Sequence, residues 1–361
     1  MSKVAVITDT HAGVKNGSDI FLDYSEKFYQ DVFFPYCLEN KITKILHLGD
    51  YFDHRKVANM KVLSRNKVMF LDRLREYGMS MDIIPGNHDC FFKNTNDLCS
   101  LVEILQHYDD IVTIHMKPKV VDYYGFRVAL LPWINSENYE ESMEFVRTAD
   151  APFLGGHLEF SGFEMMKGAP PCKSGMDVSA FSRYEKVLTG HFHTKSNNGN
   201  VYYLGSPFEL TWADSNDPKY FHVIDTETRK LIPVRNKLTL YNKLTYSDKG
   251  VSEDIESELS NYDMDSVSGS FVKVVVQHKE NPFLFDKFID RVIEREPFDL
   301  KIIENFDEYL GENVDDDGID VADTVDLLNT YVDNIETPLD KEKIKGKLHE
   351  LYLLAQNDDA L

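Results

Sequence analysis

The sequence predicts a layered α/β domain, followed by a small second α/β domain and a helical tail. Three observations predict this. Five short apolar runs each end in a cluster of polar, chemistry-bearing residues, longer segments with helical spacing lie between them, and two acidic stretches divide the rest of the chain. The 361 residues exceed what one hydrophobic core usually serves, so two to three domains are expected. A composition of 42% hydrophobic, 12% aromatic and 28% charged residues lies in the globular range and excludes disordered, collagen-like and fibrous classes.

The elements follow in order. KVAVIT runs into Asp9-Thr10-His11, KILHL into Gly49-Asp50, MDIIP into Gly86-Asn87-His88-Asp89, APFLG into Gly156-His157, and KVLT into Gly190-His191-Phe192-His193. Each reads as a buried strand followed by a loop. Residues 19–40 and 57–77 have helical spacing and alternate with the strands, which is the pattern of an α/β layered domain. Open α/β sheets place ligands beyond the carboxyl ends of their strands, and all five polar clusters sit at such ends, so they are expected to converge on one site.

After His193 the pattern turns β-rich, with NVYYLGSP, KYFHVID and KLIPVRN as short strands. The first domain is therefore placed at residues 1–236. Residues 237–306 are expected to form the small α/β domain: a weakly structured connector at 247–270, rich in Ser, Asp and Glu, then FVKVVVQ, a helical stretch at 282–296, and DLKIIENF. Residues 307–320 read as an acidic, solvated linker. In the tail, 321–361, Val321, Val325, Leu328, Val332 and Ile335 recur at helical spacing, and Ile344, Leu348, Leu351 and Leu354 repeat it after Thr337-Pro338, a capping and first-turn pair. This helix-loop-helix segment reads as a partner-binding clamp, with packing on the main domain as the alternative.

A net charge of −22 argues at face value against nucleic acid. Its distribution changes the argument. Residues from 247 onward hold 30 of the 61 acids and only 11 of the 39 bases, so residues 1–246 are close to neutral and a polyanionic substrate stays admissible there. The longest apolar runs fall far short of the roughly 20 residues needed to cross a bilayer, and the first residues lack a secretory apolar region, so a cytoplasmic protein without membrane contact is expected. Cys37, Cys90, Cys99 and Cys172 form no C-x-x-C pair and are read as free thiols in a reducing compartment.

Asp9, His11, Asp50, Asn87, His157, His191 and His193 supply the carboxylates, amide oxygen and imidazoles that hold hard or borderline divalent ions. Two ions need a shared oxygen ligand, and Asp50 is the candidate bridge. An i, i+2 pair in extended chain throws both side chains to one side, which would bring Asp9 with His11, and His191 with His193, into one site.

With these motifs quoted, the chain resembles the calcineurin-like metallophosphoesterases: Asp9-x-His11, Gly49-Asp50-x-x-Asp53, Gly86-Asn87-His88-Asp89, Gly156-His157 and Gly190-His191-x-His193 match the family's five motifs, over about residues 1–225. Within the superfamily it resembles the SbcD-type DNA repair nucleases, those of T-even phages most closely. The resemblance implies two β-sheets flanked by helices. It implies one metal on Asp9, His11, Asp50 and His193 and another on Asp50, Asn87, His157 and His191, with Mn²⁺ as the expected ion and Mg²⁺ as its substitute. It implies His88 as the group that protonates or stabilises the leaving oxygen, with Asp53 orienting its imidazole.

The function expected from the resemblance is a metal-dependent DNA nuclease with 3′ to 5′ exonuclease activity on duplex ends and single-strand endonuclease activity. It would act in double-strand break processing with an SbcC-like ABC-type coiled-coil ATPase, held through residues 321–361, as a homodimer within a heterotetramer. The alternatives are a phosphomonoesterase of the same superfamily and a non-catalytic metal-binding scaffold. Protein phosphatases of the superfamily carry Arg after the matching Asp and a GNHE motif, where this chain has His54 and Asp89. His54-Arg55-Lys56 could touch a phosphodiester backbone or be solvated surface charge. Phe91-Phe92 are read as core packing, with base contact as the alternative, and His47 as structural. Gly205-Ser206-Pro207 resembles a family turn near the metals.

Overall fold

Strand β1 (Lys3–Ile7) is buried from Val4 onward, as an unbroken V-A-V-I run requires when both faces of a sheet are covered. Its alternate residues separate cleanly: Val4 and Val6 face a second sheet, while Ala5 and Ile7 face helices. In the computed structural model, residues 2–165, 171–250, 262 and 264–304 are described, together with Lys341, Lys343, Lys345 and Lys347, which are helical.

The first sheet has the order β12-β11-β1-β2-β3-β4, with β2 (Lys44–His47), β3 (Ser80–Ile83) and β4 (Val112–Ile114) running parallel to β1. β11 (Lys219–Asp225) and β12 (Lys230–Asn236) close its other side in antiparallel pairing. The second sheet has the order β5-β6-β7-β8-β10-β9. There β6 (Phe126–Leu131), β7 (Phe153–His157), β8 (Lys186–Gly190) and β10 (Val201–Tyr203) are parallel, with β5 (Lys119–Tyr123) and β9 (Ser196–Asn198) as antiparallel edges. Val4, Val6 and Leu46 of the first sheet meet Val128, Leu130, Phe153 and Leu188 of the second in one core. The fold is thus two mixed sheets face to face, with helices on the outer surfaces.

On the first sheet, Asp19–Phe28, a π-helical turn Tyr29–Phe33 and Phe34–Glu39 run on as helix α1, and Met60–Asn66, a π-helical turn Lys67–Leu71 and Asp72–Glu76 run on as α2. The Asn59 side chain caps α2, accepting from Lys61 N at 2.9 Å. Phe28, Phe33 and Phe70 bury completely against the sheet. α3 (Ser100–Leu105) adds Leu101 and Leu105 to this core, and α4 (Tyr139–Thr148) places Val146 in the core over the second sheet.

Residues 241–303 carry a third sheet, β13 (Tyr241–Ser247), β14 (Phe271–His278) and β15 (Asp299–Ile303), all parallel, with α5 (Pro282–Ile293) crossing from β14 to β15. Tyr246, Val274, Phe288 and Val292 form its separate core. The sequence pattern puts the first strand of this unit at FVKVVVQ, yet β13 precedes it. Only Tyr241 and Tyr246 of YNKLTYS are buried, and its strand state comes from pairing with distant β14. Phe21 of α1 stacks on Phe271 at 6.0 Å, tying this sheet to the first. The acidic linker at 307–320, and the tail helices at 321–361 apart from the four lysines, lie outside the described residues.

Candidate metal centre

The loops after β1, β2, β3, β7 and β8 meet where the two sheets end. Asp9 N donates to Gly49 O at 3.0 Å and His11 N to Asp50 O at 3.1 Å, joining the first two loops. His191 N donates to both carboxylate oxygens of Asp9, at 3.0 and 3.3 Å, and so joins the two sheets. The backbone here is not extended: φ is +52° at Asp9, +40° at His11, +52° at Asp50 and +87° at His191. Asp9 with His11, and His191 with His193, therefore do not meet as i, i+2 pairs of an extended chain, contrary to the expectation. The side chains converge because the chain turns through the left-handed region, at a cost held by the surrounding hydrogen bonds. Gly86 is required by close approach, since a Cβ there would lie 2.2 Å from Asp50 Oδ1.

The donors fall into overlapping groups. Asp9, His11 and His193 bring ligand-type atoms together, and so do Asp50, His157 and His191. His11 Nε2 lies 3.2 Å from His193 Nε2 and 3.7 Å from Asp50 Oδ2. His157 Nε2 lies 3.2 Å from Asp50 Oδ2 and 3.1 Å from Asn87 Oδ1, and His191 Nδ1 approaches the same Asn87 oxygen at 3.0 Å. Asp50 stands between the groups. The other oxygen of its carboxylate, Oδ1, accepts from His88 N at 2.8 Å.

A match to the calcineurin-like phosphoesterase model spans residues 2–224. The chain belongs to the calcineurin-like phosphoesterase family. Its sequence is also 30% identical over 362 residues to "Exonuclease subunit 1" of Enterobacteria phage T4, covering 98% of this chain and 99% of that one. Among solved structures, an archaeal phosphodiesterase overlaps 65% of this chain and 99% of its own (TM-score 0.33, 12% identity). Purple acid phosphatase PPD1 of yellow lupin overlaps 62% and 48% respectively (TM-score 0.37, 14% identity). No helix among the described residues is long and apolar enough to cross a membrane.

Divalent ions, which this family uses, fit the donors of this phosphoesterase. Two imidazole nitrogens face each other at the His11–His193 contact, an arrangement that a shared proton or cation must relieve. His11 Nδ1 is buried with no hydrogen-bond partner, although Asp53 Oδ1 lies 3.1 Å away. The electrostatics carry the same message. Burial pulls the imidazoles of His11 and His157 down, yet neighbouring carboxylates outweigh it and push both up to about 9, with Asp53, Asp50 and Asp9 acting on His11 and Asp50 foremost on His157. Burial pushes Asp50 up, but His157, His88 and His11 hold it well below the usual carboxylate range. Around His11 and His157 the carboxylates favour positive charge, while burial and then the His11 charge push the His193 imidazole down to about 4.

His88 is held differently from the expectation. Its Nδ1 donates to the main-chain carbonyl of Asp53 at 2.8 Å, while the Asp53 carboxylate points at His11. Asp53 therefore orients the ring through its backbone, because the loop turns its carbonyl, not its carboxylate, toward His88. Burial lowers the His88 imidazole despite the nearby Asp50 carboxylate. His11, Asp53 and His88 form a third group of ligand-type atoms beside the other two.

Several further residues support the site without belonging to the seven donors. Asp89 accepts from the backbone N–H groups of Gly86, Tyr51 and Phe52, at 2.9, 3.1 and 3.2 Å, and so staples the β2 and β3 loops. Burial, then the Asp50 charge, pushes its carboxyl up to about 7. Its place in the GNHD motif is the signal that could have found it. Glu159 Oε2 lies 3.5 Å from His191 Nε2, and Trp133 packs 5.2 Å from the His191 ring. Behind the site, Ser206 N (3.1 Å) and Lys219 Nζ (2.9 Å) both donate to His193 O, which gives the Gly205-Ser206-Pro207 turn its role. His47 Nε2 contacts Thr10 Oγ1 at 3.0 Å, a structural link. Phe91 and Phe92 correct the core-packing reading: Phe91 is half-buried, Phe92 is exposed, and they pack edge to face on each other at 4.8 Å. His54 and Lys56 are exposed, and His54 Nε2 lies 3.6 Å from Asp53 Oδ2.

Proposed function

We propose that this chain is a Mn²⁺-dependent DNA nuclease that removes nucleotides from duplex ends in the 3′ to 5′ direction and also cuts single strands internally. The observation that carries this reading is the likeness, along essentially the whole of both chains, to a protein named as an exonuclease subunit, coupled to the metal-type groups Asp9–His11–His193 and Asp50–His157–His191 with the Asn87 oxygen beside the second. One ion would be held by Asp9, His11, Asp50 and His193, the other by Asp50, Asn87, His157 and His191. When bound, such a pair activates water and neutralises charge on the phosphoryl group.

The chain's own groups divide the remaining work. Asp50 is held ionised by His157, His88 and His11 and so keeps a negative charge between the two donor groups. His157 Nδ1 donates to Leu48 O at 2.8 Å, which fixes its tautomer and leaves Nε2 directed at Asp50 and Asn87. His88 Nδ1 is occupied by Asp53 O, so its Nε2 is the atom that can exchange a proton with the leaving oxygen. A metal-binding scaffold needs no such ring, and His88 favours an enzyme.

The acidity of the C-terminal segment leaves phosphate contacts to be supplied from elsewhere, because they require Lys and Arg. We assign that role to an SbcC-like ABC-type coiled-coil ATPase bound through residues 321–361, with two copies of this chain pairing in a heterotetramer that processes double-strand breaks. The sequence pattern of the tail supports this assignment.

The test is a parallel assay of the purified chain with Mn²⁺ on end-labelled linear duplex and on p-nitrophenyl phosphate. Release of mononucleotides from 3′ ends, with slow turnover of the monoester, is the expected result. The reverse preference would establish a phosphomonoesterase, and turnover of neither would leave a scaffold.

A further inference from the structure

On the side of His157 and His191, the loops of the second sheet open into a cavity of about 300 Å³. Its aromatic wall is Trp133, whose ring lies 5.2 Å from that of His191 and 5.9 Å from that of His157. Tyr139, at the start of α4 and 46% exposed, and Met176 also line the cavity. The Trp133 backbone is firmly held: its N–H donates to Pro85 O at 3.0 Å, and its carbonyl accepts from the side-chain amides of Asn96 and Asn138, both at 3.0 Å. The indole is thus presented on a firmly held loop, half-buried, beside the rings of His157 and His191 and in the lining of the cavity.

We propose that this cavity receives a nucleobase of the substrate strand, the base next to the scissile phosphodiester, stacked on the Trp133 indole. The inference rests on the nuclease reading and names a subsite for it. Three features carry it. The cavity is continuous with the donors that would hold the reacting phosphate, since His157 belongs to both. Its volume suits one flat aromatic ring system beside an aromatic platform. Several of its polar rim groups already have partners inside the protein: Asn135 Oδ1 accepts from Glu137 N and Asn138 N, Asn135 Nδ2 donates to Asn96, and Ser174 donates to Glu159. With Asn135 and Ser174 engaged in this way, binding rests chiefly on the π face that every base presents. The subsite therefore holds a base without choosing its sequence, as an enzyme that shortens arbitrary ends requires.

Two measurements on the full chain test this. Single-stranded oligonucleotides carrying 2-aminopurine next to a defined phosphodiester are mixed with saturating protein in EDTA. Emission should be quenched by the wild type and recover with Trp133→Ala. In Mn²⁺, cleavage of that phosphodiester is then compared between an intact oligonucleotide and one made abasic at the neighbouring nucleotide. The wild type should prefer the intact strand by about 5- to 150-fold, the range that base–aromatic stacking supplies. Trp133→Ala and Tyr139→Ala should bring that ratio toward one, with Trp133→Phe restoring part of it. Tyr139 is exposed, so its variant keeps the test valid if loss of the indole disturbs the fold. Equal wild-type rates on both strands would overturn the proposal. So would Trp133→Ala slowing both strands alike, which would make the indole a mere support for His157 and His191. Monoester turnover without cleavage of any DNA would instead defeat the nuclease reading, and this subsite with it.

Discussion

His88 is oriented by the backbone of Asp53, through a 2.8 Å contact between Nδ1 and the carbonyl, and not by the Asp53 carboxylate. The two residues can therefore be separated by mutation. His88→Ala should lose about 10²- to 10⁴-fold in turnover, the usual contribution of a proton-exchanging group, while keeping its metals. Asp53→Asn leaves the carbonyl in place and removes only the carboxylate beside His11, so a smaller loss, about 10- to 100-fold, is expected from disturbed support of a ligand. Steady-state rates with metal analysis check both, and equal losses would return the orienting role to the carboxylate.

Asp50→Asn should abolish nuclease activity and reduce the bound metal. Asp50 Oδ2 lies within 3.7 Å of ring nitrogens from both donor groups, and a neutral amide cannot balance two cations. Metal content by mass spectrometry, with activity on linear duplex, reads the outcome.

Much of this site is legible in the sequence. Seven donors and His88 each follow a short apolar run, and strand ends of parallel sheets are where such loops gather. Other features are not legible, for physical reasons. The left-handed turns at Asp9, His11, Asp50 and His191 are imposed by hydrogen bonds between loops far apart in sequence. Trp133 joins the site only because β6 lies beside β7 in the second sheet, and nothing local marks it. β13 is stabilised by pairing across a long insertion, so its own mixed pattern is a weak guide.

Lys219 is buried against Asp214 at 2.5 Å and Asp217 at 3.0 Å, and it also holds His193 O. Lys219→Met should cost about 3–5 kcal/mol, since it leaves two buried carboxylates unpaired. The pH dependence follows from the signs. Burial pushes Asp214 up, but Lys219 outweighs it and holds the carboxyl below its ordinary 3.8, so its stabilisation is present above that value and is lost as pH falls through the lower folded value. Burial pulls Lys219 down, but Asp214 and Asp217 raise it above 10.5, so its share is present below that value and is lost as pH rises through the higher folded value. Wild-type melting should thus be insensitive to this cluster between about pH 4 and 10. The variant, in which buried Asp214 has lost the cation that outweighed its burial, should gain stability as pH is lowered.

If residues 321–361 hold the proposed ATPase partner, deleting them should spare cleavage of short substrates while abolishing co-purification with that ATPase and ATP-stimulated degradation of duplex. Leu348→Asp with Leu351→Asp should act in the same way, because each charge would have to be buried unpaired. Size-exclusion chromatography of the mixed subunits decides it, and an intact complex would move the interface elsewhere.

The central claim is that seven named side chains hold two ions around Asp50. Crystals grown with Mn²⁺ and measured at its absorption edge test it directly. The account predicts two anomalous peaks about 3.5–4 Å apart, one among Asp9, His11 and His193 and one among Asn87, His157 and His191, with the Asp50 carboxylate between them. A single peak, or one seated in the His11–Asp53–His88 group instead, would contradict it.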